Sequence, residues 1–292
     1  MGPETTADEV LAGVDLSGRT ALVTGASAGL GAETVRALQA AGCEVVGAAR
    51  DLTKAAAVVD CDLVELDLAS LDSVRRGAEA AAKRLPQIDL LINNAGVMAC
   101  PLGRTAEGFE LQLGTNHLGH FAWTTALLPN LVSGSRVVNL SSRGHFRSPM
   151  RWDDPHFRTS AYEKWQAYGQ SKTANVLFTV ELERRLADRG VHAFAVHPGV
   201  ILTELGRHLT TEDSEGLARV LPRFKTIPQG AATTVYAATA PDLPGGSYLE
   251  DCHVAGPVNE TDRATADAGV MGWAVDPEQA ARLWDWSEAE TA

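Results

Sequence analysis

Thr24-Gly25-Ala26-Ser27-Ala28-Gly29-Leu30-Gly31 is the stretch from which the fold can be read. Residues 19–24, leading into it, form an apolar run of strand length; residues 31–41, leading out, carry a helical pattern. A glycine-rich bend between a strand and a helix opens a βαβ unit. The alternation repeats outward from there. Strands are expected at 43–49, 63–66, 89–93, 135–140 and 191–196, and helices at 71–85, 107–131 and 165–188. These strands lack in/out alternation, as strands covered on both faces do. The expected class is α/β, a doubly wound parallel sheet of order 3-2-1-4-5-6 in a single domain. Residues 1–16 are expected as a flexible lead and 17–292 as the domain. Residues 202–228, rich in charges, prolines and threonines, read as an excursion from the sheet on the substrate side. A short amphipathic helix carrying Leu283, Trp284 and Trp286 is expected near the end.

Composition narrows the function. The 292 residues hold 25 Lys and Arg against 37 Asp and Glu, a net charge of -12. Nucleic-acid binding needs a basic face, so that surplus of acid argues against it. No run approaches the roughly 20 apolar residues that cross a bilayer. The first fifteen residues lack the basic-then-apolar layout of a secretion signal. Cys43, Cys61, Cys100 and Cys252 are scattered, which fits a cytoplasmic protein and offers no zinc site. His117, His120, His145 and His197 are expected to pack rather than to bind metal.

The bend itself carries chemistry. Gly25 allows a tight turn, Gly29 allows a pyrophosphate to approach the backbone, and Gly31 allows helix and strand to pack. The helix N-terminus adds free N–H groups and positive potential for an anion. This is the layout of a Rossmann dinucleotide site. An acid at the end of the second strand would bind a ribose 2′-hydroxyl and select NAD. Position 49 is Ala and is followed by Arg50, whose planar fork matches a 2′-phosphate. The expected cofactor is NADP; NAD stays open, because Asp51 is only one residue further on.

Tyr168 and Lys172 stand four apart on the expected helix 165–188 and so share a face. An ammonium beside a phenol favours the phenolate and lowers a pKa that is ordinarily about 10. That makes the phenol useful for general acid–base work near neutrality. Tyr162 is a rival, but Gln166 stands where its lysine would be. Ser142 ends the fifth strand, on the side where α/β ligands lie.

The G-x-x-x-G-x-G spacing is followed in order by Asp67-Leu68, Asn93-Asn94-Ala95-Gly96, Asn116, Ser141-Ser142, Tyr168-Gly-Gln-Ser-Lys172 and Pro198-Gly199. Over nearly the whole chain this resembles the short-chain dehydrogenase/reductase family. Residues 115–121, 167–175 and 283–287 are most similar to its retinol-dehydrogenase-like branch. The resemblance implies an oxidoreductase moving hydride between NADP(H) and a carbonyl compound or alcohol, with a hydrophobic small molecule as substrate. It implies that Tyr168 transfers the proton and that Lys172 tunes it and grips the ribose. Ser142, rather than Ser141, would place the substrate oxygen, and Asn116 would hold a water linking the lysine to solvent. Ser27 and Leu30 would join the glycines in cofactor binding. Asp67 and Leu68 would touch the adenine, and Asn94, Ala95 and Gly96 would shape the cleft. Pro198, Gly199 and Thr203 would meet the nicotinamide. The family also implies a homo-oligomer, dimer or tetramer. The insert 143–165 reads as a wall of the substrate pocket. Leu205, Leu209, Leu217, Leu221 and Phe224 form either an apolar lid or a helix packed on the sheet. The rival function is a non-catalytic NADP(H) sensor, against which the intact Asn116, Ser142, Tyr168 and Lys172 weigh.

Overall fold

A computed structural model describes residues 1–220 and 224–292, apart from the side chains at 214 and 217–220. The elements run α1 (Ala7–Leu11), β1 (Thr20–Thr24), α2 (Gly29–Ala40), β2 (Glu44–Ala49), α3 (Leu52–Ala56), β3 (Asp62–Glu65), α4 (Leu71–Arg84) and β4 (Ile88–Asn93). Then come α5 (Leu111–Leu113), a π-helical turn Gly114–Leu118, α6 (Gly119–Leu127), β5 (Leu131–Leu140), α7 (Lys164–Leu186) and β6 (His192–His197). The chain closes with α8 (Thr211–Val220), α9 (Ile227–Thr239), β7 (Tyr248–Glu250), β8 (His253–Val254), β9 (Pro257–Val258), β10 (Val270–Met271) and α10 (Pro277–Thr291).

Alternation along each strand divides the core. Leu22, Leu91 and Val137 bury on one face of the sheet, under α4, α6, α7 and α10. Val23, Ile92 and Val138 bury on the other, under α1, α2 and α9. The sheet order is β3-β2-β1-β4-β5-β6-β7-β8, with only β8 antiparallel. This is the doubly wound order expected, extended at one edge. Among the described residues no helix is long and apolar enough to cross a membrane.

Three expectations are corrected. Residues 1–16 are no flexible lead: α1 buries Ala7, Val10 and Leu11 against α9 and α2. A capping box starts that helix, with Thr6 and Glu9 each bonding the other's backbone N–H. The helix expected at 107–131 begins only at Leu111. Gly108 turns at φ +85, and the Glu110 carboxylate caps the new helix by accepting from Gln112 N and Leu113 N at 2.9 and 2.8 Å. Glu107 instead accepts from Leu71 N, at the head of α4. At the far end Pro129 stops the helix and Leu131 opens β5. The excursion expected at 202–228 closes earlier, because Ile201 pairs with Lys225 and Thr226 caps α9.

The docking of α1 has a measurable consequence. Leu11→Ala should lower stability by about 2 kcal/mol, the low end for a buried leucine. Urea denaturation checks this; a midpoint equal to wild type would return the segment to a loose lead.

Candidate active site

The carboxyl ends of β1, β2, β4, β5 and β6 open into one cleft of about 1150 Å³. It lies where the chain winding reverses between β1 and β4, as ligand clefts of doubly wound sheets do. Among the expected site residues, all but Asn116 line this cleft.

Close packing shapes the glycine bend. Gly25 has φ +74, and a Cβ there would lie 2.9 Å from Ala95 Cα. A Cβ on Gly31 would lie 2.2 Å from the Gly25 oxygen, so the first turn of α2 rests on the bend. Ala28 gives that helix no side-chain cap, which leaves its first N–H groups for a ligand. A dinucleotide's pyrophosphate fits this cradle. Arg50 is exposed at the cleft edge with no ion-pair partner among the described residues. Asp51, the residue that kept NAD open, caps α3 by accepting from Lys54 N at 2.9 Å. Asp67 accepts from Ala69 N at 2.9 Å, which holds the turn that presents Leu68. The Thr24 hydroxyl accepts from Asn94 N and Ala95 N, each at 3.0 Å, and so anchors the 94–96 segment. Pro198 and Gly199 follow β6, and the Thr203 hydroxyl accepts from Leu205 N at 3.3 Å.

On the opposite wall, α7 presents Tyr168 and Lys172. The Lys172 ammonium donates to Leu140 O at 3.0 Å and stands 5.6 Å from the centroid of the Tyr168 ring. Ser142 Oγ accepts from Gly144 N at 3.0 Å and lines the cleft together with Tyr168. Ser141 donates instead to Lys172 O, at 2.8 Å. Asn116 is fully buried in the π turn behind the cleft. Its side chain is consumed by protein partners, accepting from Val97 N and donating to Val97 O and Ser171 Oγ. Tyr162, the rival tyrosine, lies elsewhere, its hydroxyl donating to Cys100 O and accepting from Gln112.

Burial dominates the electrostatics of this pair. Burial pushes the Tyr168 phenol up to about 12, and Ser142 only partly offsets this. Burial pushes Lys172 down to about 7. The two groups are desolvated together, so each favours its neutral form. At neutral pH the phenol therefore holds its proton beside a lysine whose charged form burial disfavours.

His117 and His145 are bonded within the protein. His117 meets Ser287 at 2.7 Å, and His145 joins Ser142 O at 2.7 Å to Met271 N at 3.1 Å. Among the described residues no group of three or more His, Cys, Asp and Glu is arranged to hold a metal. The insert contributes less than expected. Arg143, Gly144, Phe146, Arg147, Lys164 and Trp165 line the cleft, but Trp152 donates to Gln279 and His156 stacks on Phe109. The middle of the insert therefore docks on α10 and α5's approach, not on the cleft.

One link escaped the sequence reading. Asp213 of α8 accepts from Lys164 Nζ at 2.5 Å and from Trp165 Nε1 at 3.1 Å, tying the excursion to the start of α7. Lys164 and Trp165 precede Tyr168 by four and three residues, a shared-face signal that was available. Among the described residues, the excursion meets the cleft through Leu205 and through Glu212, Asp213 and Glu215. Leu217 and Leu221 lie outside the described residues and side chains.

The lysine shift carries a pH prediction. Unfolded Lys172 binds more protons than the folded residue between about pH 7 and its ordinary 10.5. The cost of burying it is thus full at pH 7 and below, and fades as pH rises through that window. Lys172→Met should therefore be more stable than wild type by a margin that is largest near pH 7 and shrinks toward pH 10. Paired denaturant midpoints check this; a constant margin would refute it.

Residues 19–154 match the family described as short chain dehydrogenase. The short-chain dehydrogenase/reductase prx1 of Penicillium roqueforti is 42% identical over 91% of this chain and 83% of its own. Human retinol dehydrogenase 13 is 38% identical, covering 92% and 83%. Among solved structures, a protein from Mycobacterium paratuberculosis aligns over 100% of this chain and 98% of its own, with TM-score 0.78 and 38% identity. The RhlG/NADP complex of Pseudomonas aeruginosa aligns over 81% and 95%, with TM-score 0.66 and 27% identity.

Proposed function

From the premise that this chain belongs to the short-chain dehydrogenase/reductase family and is a nicotinamide-dependent oxidoreductase, we propose that it uses NADP(H) to interconvert a ketone or aldehyde with its alcohol. The observation that carries this reading is that Ser142, Tyr168 and Lys172 line the cleft that the glycine bend opens. The bound cofactor would supply or accept the hydride.

The chain's own residues divide the remaining work. Gly25, Ser27, Gly29, Leu30 and Gly31 hold the pyrophosphate, and Asp67 and Leu68 flank the adenine. Asn94, Ala95, Gly96, Pro198, Gly199 and Thr203 shape the nicotinamide end, and Lys172 grips the ribose. Arg50, without an acidic partner among the described residues, pairs with the 2′-phosphate, while Asp51 is spent as a helix cap. Ser142 holds the substrate oxygen against Tyr168, whose buried phenol delivers a proton in reduction and recovers it in oxidation. Lys172, whose pKa burial lowers, replenishes that proton, with Asn116 fixing the ground behind it. Met98, Phe146, Trp165 and Leu205 line the outer cleft and suit a substrate with an apolar body. A cytoplasmic homo-oligomer belongs to the same reading, supported by family precedent and by four free cysteines.

Two outcomes test this. Tyr168→Phe should lower kcat by about 10²- to 10⁴-fold, the usual share of a general acid. NADPH binding, read by fluorescence titration, should be retained; undiminished turnover of a carbonyl panel would sink the proton-transfer assignment. Arg50→Ala should raise the Kd of NADPH about tenfold or more, since a charge-assisted contact contributes roughly 1.5–3 kcal/mol. The Kd of NADH should stay put; an equal loss for both cofactors would remove Arg50 from phosphate recognition.

A further inference from the structure

His120 has no part in the roles above, yet it joins the two sides of the cleft. It sits on α6, four residues after Asn116, and is buried. The Thr24 hydroxyl accepts from Asn94 N and Ala95 N, so both of its lone pairs are taken. Its own hydrogen must go to an acceptor. His120 Nε2 stands at 2.9 Å, whereas the Ile92 carbonyl is at 3.5 Å. Nε2 is therefore unprotonated, and the ring hydrogen is on Nδ1. Nδ1 lies 3.0 Å from the Asn116 carbonyl oxygen and donates to it. Burial holds the ring neutral, pushing it down to about 4, so this tautomer persists at working pH.

The carbonyl so held belongs to the π turn, where Gly119 N returns to Gly114 O. Such turns recur at functional sites. Val97 and Ser171 hold the same asparagine by its side chain. Gly96 fits between: a Cβ there would lie 3.1 Å from Asn116 Oδ1 and 3.7 Å from Lys172 Nζ. One imidazole thus links the anchor of the 94–96 segment to the asparagine beside the lysine.

We propose that His120 is a positioning residue: by accepting from Thr24 and donating to the Asn116 carbonyl, it sets the cofactor-side loop and the surroundings of Lys172 as one unit. The proposal rests on the reading that Tyr168 and Lys172 handle the proton, and it deepens that reading.

His120→Phe keeps a ring of similar size and removes both hydrogen bonds, leaving a buried hydroxyl and a buried carbonyl without this partner. We expect kcat/KM to fall about 10- to 100-fold, the scale of a displaced catalytic group. The Kd of NADPH should rise, and the pH–rate profile should shift. His120→Gln keeps a donor and an acceptor and should restore the wild-type profile. The ¹⁵N imidazole spectrum of the cofactor-free protein needs no turnover and should report a neutral Nδ1–H ring across pH 5–8. A charged or Nε2–H ring there, or a His120→Phe variant with wild-type profile and NADPH affinity, overturns the proposal. Should His120→Phe fail to fold, Thr24→Val breaks the same link from its other end and must shift the profile in the same direction. Tyr168→Phe assayed alongside separates the two ideas. Full turnover in Tyr168→Phe removes the proton-transfer reading, while an inactive Tyr168→Phe beside an unshifted His120→Phe removes only the role of His120.

Discussion

A single close approach organises this molecule. The Gly25 carbonyl oxygen occupies the space where residue 31 would carry a Cβ, and Asn94 and Ala95 press on the same bend from the neighbouring strand's end. Any side chain at 25 or 31 would push α2 off β1 or drive the 94–96 segment out of the cleft. With none there, the segment after β4 bonds to Thr24 at the end of β1, through Asn94 and Ala95. The uncapped helix N-terminus then faces the same space as the side chains from β5 and α7.

The second constraint is shared burial. Tyr168 and Lys172 lie on one buried helix face, and water is withheld from both. Withholding water from a phenol and an amine together favours the neutral pair over the phenolate–ammonium pair. The cofactor-free site is therefore poised as a proton donor. The stability forgone by burying an amine is the familiar trade between a stable core and a working site.

Much of the rest of the chain serves as support for those few atoms. Met271 of β10 donates to His145, and His145 bonds the Ser142 carbonyl, so the final third of the chain braces the serine from behind. The insert after Ser142 docks on α10 through Trp152 and Gln279. Glu110 caps α5, and the π turn that follows sets Asn116 against Val97. These contacts lie far apart in sequence and converge on one wall of the cleft.

The class of the fold, the strand order and the residues lining the cleft were legible in the sequence, because they depend on local pattern. Glycines at fixed spacing, unbroken apolar strands and a tyrosine four residues before a lysine each determine geometry within one or two turns of chain. Other features belonged to tertiary structure. The direction of the Tyr168 shift, the docking of α1 on α9, the role of Asp51 as a cap and the tie from Asp213 to Lys164 and Trp165 all turn on distant partners. The same holds for the two bonds of His120, which reach Thr24 across 96 residues as well as Asn116 nearby. Burial and hydrogen-bond pairing are properties of the packed molecule, and no window of sequence contains the groups that supply them.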